Sequence, residues 1–296
     1  MANNITLATT MTTELDKVFV QSAVTGFMVD NAMRAKFVGA HTVLIPEMDM
    51  TGLGDYSKTT GFPEGSINVS NKPYTLSQDR GRSFMLDAQD EDESGVANLA
   101  GQVMGEFVRT KVVPEVDAYV MSKLYGIARK DAHMVNVPDG KTVANSAFQI
   151  VSELIAKVRN VAGYDEQLVA ILAPSVYDAL MATPEIARSI RVDEFKKGEI
   201  TTQVKTIDGV ALIPAPSSRM YRDIEITDAG YTGTGDIGAI VLPKKAAMLV
   251  RKTEKIRTFS PDQNQKADAY KFDYRLYYDL LVKKSMEGSI FAAYLG

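Results

Sequence analysis

The chain of 296 residues contains two histidines, His41 and His133, and no cysteine. These two facts narrow the chemistry it can carry. Without cysteine there is no thiolate nucleophile, no thiolate metal ligand and no disulfide, and an intracellular site of folding is the simplest expectation. Neither histidine has a second one three or four positions away, as a helical metal pair requires. His41 opens a β-branched run and His133 sits in a polar turn, so both read as boundary residues. No Gly-x-Ser-x-Gly elbow or Ser-x-x-Lys motif is present.

Three further clusters invite a chemical reading. Gly233, Gly235 and Gly238 spell Gly-x-Gly-x-x-Gly. A dinucleotide fingerprint needs a strand before it and a helix after it. Here a turn-rich segment precedes and an apolar run follows, so a glycine-rich approach to a strand is expected instead. The acidic residues Asp87, Asp90, Glu91, Asp92 and Glu93 lack the alternating spacing and central glycine of a calcium loop. Capping of a helix start explains them equally well. Tyr270, Tyr274, Tyr277 and Tyr278 would suit base stacking, but Asp273 and Asp279 interleave with them. A sheet core with hydroxyls at its rim fits better. No catalytic residue, cofactor or metal site is expected.

The elements that would position any site are more informative. From Asp90 to Lys130, Val96, Leu99, Ala100, Val103, Phe107, Val108, Val112, Val116, Tyr119, Val120, Leu124 and Ile127 recur at spacings of three and four. That is one helical face. A helix this long would span about 55 Å. Pro114 interrupts it and predicts a kink near residues 111–113. Residues 1–12 read as an extended arm, with a short helix over 14–19.

Residues 41–48 predict a strand. Residues 73–87 predict its return, with Tyr74, Leu76, Phe84 and Leu86 at alternate positions. Between them, 50–71 is rich in Gly, Thr, Ser, Asp and Asn. A two-stranded ribbon with a soft tip is marginal alone and needs another surface to lie on. Beyond the long helix, the pattern predicts a helix over 145–162 and a buried strand over 167–172. A helix follows from Pro174, with another short one from Pro184. Residues 201–214 predict a hairpin turning at Asp208-Gly209, and 237–242 a further buried strand. Ala247–Phe259 and 270–282 alternate with period two and form a long hairpin. The long helix is expected to pack along that hairpin, with 141–242 inserted as a second unit. The class is α+β.

Composition agrees with a packed protein: 45% hydrophobic and 24% charged residues, with a formal net charge of −4. No basic patch marks a dedicated nucleic-acid binder. The N-terminus has no basic segment leading into an apolar block, so no secretory signal is expected. No apolar run approaches transmembrane length.

This order of parts resembles the major capsid proteins of tailed bacteriophages, whose shell fold is named after phage Hong Kong ninety-seven. The resemblance rests on the arm, the stretch ending in QDRGRSFMLDAQDEDES, the helix containing EFVRTKVVPEVDAYVMSKL, and the pair MLVRKTEKIRTF and YKFDYRLYYDLLV. It implies an N-terminal arm (1–40) and an extended loop (41–89) lying across a neighbouring subunit. It also implies a peripheral domain (90–140 and 243–296) and an axial domain (141–242) at the capsomer centre. It implies self-assembly into hexamers and pentamers as an icosahedral virion head around double-stranded DNA, assembled in the host cytoplasm, without catalysis. A portal and a separate scaffolding protein are the implied partners, because the chain opens almost directly on the arm. Subunit contacts are expected at Leu53, Tyr56, Phe62, Tyr74, Leu76, Arg80, Arg82 and Phe84. Lys58, Lys72 and Asn264 match no cross-linking motif and read as surface residues.

Alternative readings are an encapsulin-like compartment around a cargo enzyme, and an α+β enzyme or ligand-binding protein of small oligomeric state. The latter needs a convergent polar constellation that the sequence does not display. A tail-tube or other ring-forming protein would lack the long kinked helix.

Overall fold

The computed structural model describes residues 14–29, 36–38, 42–59, 61–87, 96–137, 143–183, 191–197, 200–260, 263–267 and 269–295. The acidic run at 90–93, His41 and the helix expected from Pro184 lie outside these residues.

In chain order, residues 14–22 form helix α1, followed by a 3-10 turn at Val24–Met28. Strands β1 (Lys36–Val38), β2 (Thr42–Met50), β3 (Ile67–Thr75) and β4 (Gln78–Asp87) come next. The long helix runs as α2 (Val96–Phe107), a π segment (Val108–Val112) and α3 (Val113–Lys130). Then come β5 (Met134–Val137), α4 (Val143–Ala162), β6 (Leu168–Leu172) and α5 (Pro174–Ala182). The hairpins β7 (Arg191–Lys197) with β8 (Ile200–Ile207), β9 (Val210–Pro214), and β10 (Tyr221–Thr227) with β11 (Gly230–Pro243) follow. Strands β12 (Ala247–Phe259), β13 (Ala269–Val282) and β14 (Phe291–Leu295) complete the fold.

Three sheets result. The ribbon sheet has order β1-β2-β3 and the hairpin sheet β12-β13-β4. The large sheet runs β5-β14-β11-β6-β9-β8-β7, with β10 paired to β11. The apolar run of β6 explains that sheet's burial. Val169 and Ile171 face the core that holds α3, while Leu168, Ala170 and Leu172 face α4 and α5. A strand covered on both sides reads as continuous hydrophobicity rather than alternation. Asp208 and Gly209 take φ of 52° and 74° between Ile207 and Val210, as a two-residue hairpin turn requires.

Helix α3 lies between the hairpin sheet and the large sheet, and one core joins all three. Pro114 cannot donate a backbone hydrogen bond, and the irregularity falls just before it, as the π segment. Thr110 Oγ1 donates to the Glu106 carbonyl at 2.7 Å across that turn. A π turn holds an extra residue, so the apolar stripe shifts. Val103, expected on the buried face, is exposed, while Met104 and Val113 are buried.

Polar groups fix α3 to its surroundings. Asp117 is fully buried. Its carboxylate accepts the N–H of Val24 (2.9 Å) and of Thr25 (3.1 Å), the Thr25 hydroxyl (2.5 Å) and Arg219 Nη1 (2.7 Å). Burial holds the nearby Lys197 ammonium below the ordinary lysine range, and the Asp117 charge opposes that shift. Lys197 donates to the Ala23 carbonyl. Beside this cluster, Arg251 lies 3.9 Å over the Phe19 ring and 3.3 Å from Asp16 of α1. The N-terminal segment is thereby docked to both α3 and β12.

Two features correct the sequence-based expectations. The return strand is divided: β3 pairs with β2, but β4 pairs with β13 in the hairpin sheet. Among the described residues, the pairing of the ribbon therefore ends at Thr75, and β4 belongs to the hairpin sheet. Its chain switches sheets at Ser77, whose N–H donates to Asp279 (3.1 Å) and whose hydroxyl meets Tyr119 (2.9 Å). In addition, β5 and β14, expected with the peripheral unit, pair parallel within the large sheet that 141–242 supplies. The apolar strand β14 is buried there between β5 and β11.

Asp117→Ala would leave Arg219 without its carboxylate in the core. The expected loss is about 3–5 kcal/mol of unfolding free energy, measured by urea denaturation. Tyr278 supplies a second test. Its burial and the Glu115 carboxylate push its phenol pKa well above the ordinary 10.0. That contribution to stability is complete below the unfolded value and is lost as pH rises past it. Titration at 295 nm is expected to show at least one tyrosine that ionises only as the chain unfolds.

Candidate functional site

Among the described residues, no three His, Asp or Glu side chains converge on a metal-sized site. Among the described residues, no helix is long and apolar enough to cross a membrane. Gly233, Gly235 and Gly238 lie within β11 and have no helix after them. A side chain on Gly233 would collide with the Tyr221 ring, so packing across the β10–β11 hairpin accounts for this glycine. Tyr274, Tyr277 and Tyr278 are buried in the hairpin sheet rather than presented as a stacking surface.

The part of the molecule that stands out is the ribbon. At its root, Val43, Ile45 and Leu76 are buried against Met248, Val250, Tyr277 and Leu281. Beyond Ile45 the cover ends: no described side chain from Pro46 to Pro73 is buried. Strands β2 and β3 remain paired from Thr42↔Thr75 to Met50↔Ile67. Nine residues of strand extend about 30 Å. Pro46 and Pro73 occupy the ribbon strands, where each removes a backbone donor.

The tip has its own order. Thr51 and Ser66 close the strands: Thr51 N–H donates to the Ser66 carbonyl (3.0 Å) and Ser66 N–H to Thr51 Oγ1 (2.9 Å). Ser57 and Gly61 exchange backbone hydrogen bonds around a turn in which Gly61 has φ of 80°. The rings of Tyr56 and Phe62 then meet at 4.9 Å. These rings and Leu53 project into solvent, Leu53 completely so (108%) and Phe62 at 85%. Nine of the fifteen exposed large apolar side chains among the described residues fall between Phe37 and Val69. A concentration of that kind marks an interaction surface rather than the scattered apolar residues of ordinary surfaces.

The eight residues expected at subunit contacts separate into three groups. Leu53, Tyr56 and Phe62 form the exposed tip. Tyr74 and Leu76 lie at the root, where Leu76 is 5% exposed. Arg80, Arg82 and Phe84 belong to β4 and make contacts within the chain. Arg80 grips Glu115 of α3 (2.8 and 3.2 Å) and donates to the Thr227 carbonyl (2.7 Å). The hydrogen bond to Glu115 raises the Arg80 pKa further. Arg82 donates to the Asp228 carbonyl (2.7 Å). Phe84 packs edge-on against Phe107 at 4.8 Å.

Sequence reading missed Asp117, the buried anchor of the N-terminal segment. Its signal was present: a carboxylate between Val116 and Ala118 on the apolar stripe of a helix. Asp279 was seen only as an interruption of the tyrosine stripe. It accepts hydrogen bonds from Tyr119 OH (2.9 Å) and Ser77 N–H and an ion pair from Lys123. The carboxylate thus connects the ribbon's base to the long helix.

No family model and no curated protein matches the chain. Solved structures do. The capsid structure of cyanophage P-SCSP1u aligns with a TM-score of 0.54 at 10% identity, over 88% of this chain and 85% of that one. A Gordonia phage Cozz structure aligns at 0.53 and 15% identity, over 86% and 81%. The mature capsid of bacteriophage PhiM1 aligns at 0.53 and 13%, over 86% and 82%. The chain has the fold that these phage structures share, two of which are solved capsids.

Burial predicts which ribbon residues support the subunit itself. Leu76→Ala is expected to cost about 2–5 kcal/mol. Leu53→Ala should change stability by less than about 0.5 kcal/mol. Urea denaturation of the two variants compares them directly.

Proposed function

We propose that the chain is a major capsid protein. It assembles into hexamers and pentamers that close an icosahedral head shell around double-stranded DNA, and its role is structural rather than catalytic. The observation that carries this reading is the ribbon: a paired, well-formed projection whose large apolar side chains have no cover on the described chain. Burying a side chain of this size contributes about 1.5–3 kcal/mol. Another copy of the chain can supply that burial repeatedly around a ring.

The likeness to capsid structures supports the same reading. So does the absence of strong positive charge, because a strongly basic wall would trap the genome it encloses. Its place is then the virion head, assembled in the host cytoplasm, with a portal and a separate scaffolding protein as partners. Contact between two different patches repeats around a closed ring when the rotation permits. Many modest contacts per subunit then hold the shell cooperatively.

Replacing residues 51–66 by an Asn-Gly turn tests the reading. The shortened chain is expected to keep the circular dichroism and urea midpoint of the full chain. It should form few or no closed particles by negative-stain electron microscopy. Normal shells from this variant would contradict the proposal.

A further inference from the structure

Beyond its root the ribbon changes which of its faces is apolar. At the root, Val43, Ile45 and Tyr74 pack on the hairpin sheet. Successive side chains of a strand point to opposite faces. Along β3 this face therefore continues with Lys72, Ser70 and Asn68, all polar and exposed. Further out the apolar residues lie on the other face. Met48 stands opposite Val69, and Met50 opposite Ile67. These four side chains are 61–71% exposed.

Two of the four carry a thioether. Strands favour Val, Ile and Thr, as at the partner positions Val69 and Ile67. Strand β2 instead places methionine at both of its outer apolar positions. The chain has no cysteine, so thioethers are its most readily oxidised groups. Burial then divides the methionines. Met28, Met104, Met121, Met220 and Met248 are at most 5% exposed. Met48 and Met50 are open to solvent, and among the described residues only Met85 of β4 joins them, at 50%.

We propose that Met48 and Met50 form an oxidation site, and that their conversion to sulfoxides stops the chain from assembling. The oxidant is a hydroperoxide. A lone pair on sulfur attacks one peroxide oxygen, the O–O bond breaks and an S–O bond forms. The other oxygen takes up the proton and leaves as water, so sulfur loses a pair of electrons and the peroxide gains it. The product is a polar sulfoxide on a face that contact with another copy must dry, and burying an unpartnered polar group is unfavourable. A methionine sulfoxide reductase reverses the step, returning thioether and water while a dithiol becomes a disulfide. The site rests on the shell reading above and adds a chemical condition to it: the ribbon assembles only in its reduced form.

The purified chain is treated briefly with hydrogen peroxide, freed of it and brought to assembly conditions. Peptide mass spectrometry is expected to find sulfoxide at Met48 and Met50 while the buried Met28, Met104 and Met121 stay reduced. Circular dichroism should not change. The yield of closed particles, by sedimentation and negative-stain electron microscopy, should fall by about tenfold. Treatment with the reductase and dithiothreitol should restore it. A chain carrying Met48→Leu and Met50→Leu, which keeps Met85, should assemble equally well before and after peroxide. Normal assembly of the oxidised natural chain, or the same loss in the double variant, would overturn the oxidation site and leave the shell reading standing. No particles from the untreated natural chain would overturn both.

Discussion

A buried carboxylate at Asp117 organises this molecule. It sits on α3, which lies between the hairpin sheet and the large sheet, and its contacts join that helix to two distant parts of the chain. The backbone of Val24 and Thr25 ties down the N-terminal segment, while Arg219 ties down the loop before β10. A carboxylate in a core is costly unless its hydrogen-bonding capacity is filled, and here it is filled from these two segments. The same helix repeats the device at its other faces. Glu115 holds β4 through Arg80, Tyr119 and Lys123 hold β13 through Asp279, and Ser122 donates to the Arg222 carbonyl. Apolar packing brings these elements together, and the polar contacts fix their register on the helix.

That rigidity gives the ribbon its meaning. The chain leaves the hairpin sheet at Leu76 and Ser77, where burial and the Asp279 carboxylate fix its direction. From this firm base a paired strand structure extends with apolar side chains exposed. A flexible loop of the same composition would lose much of its binding energy to ordering on contact. The Thr51–Ser66 closure and the Ser57–Gly61 turn are already made, so less of that cost remains. The chain is a firm body with a paired, partly preordered ribbon held at a distance from it.

Much of the architecture was legible in the sequence, for reasons that can be named. The strands at 247–259 and 270–282 show period two over a long span. Helix α4 shows one clear apolar stripe, and the run at 168–172 is apolar because both its faces are covered. Asp208-Gly209 sits where only a left-handed turn fits. What the sequence hid depends on contacts distant along the chain. Leu76, Phe84 and Leu86 alternate as though one strand continued, and only Asp279, some two hundred residues later, shows where it breaks. The π segment shifts the helical stripe by one residue, so Val103 and Met104 exchange roles. Asp117 stands on an apolar helical stripe, but its partners, at 24–25 and 219, are far away in sequence and nothing local names them. Of the expected contact residues, Leu53, Tyr56 and Phe62 are exposed at the ribbon tip. Arg80, Arg82 and Phe84 make contacts within their own chain.

The central claim is that sibling copies cover the ribbon. Hydroxyl-radical footprinting of the purified chain, resolved by sedimentation into particle and free fractions, tests it most directly. The account predicts strong protection of Met48, Met50, Tyr56 and Phe62 in the particles and full labelling of the same residues in free subunits. Equal labelling in both fractions, or a single slow species with the ribbon already protected, would contradict it.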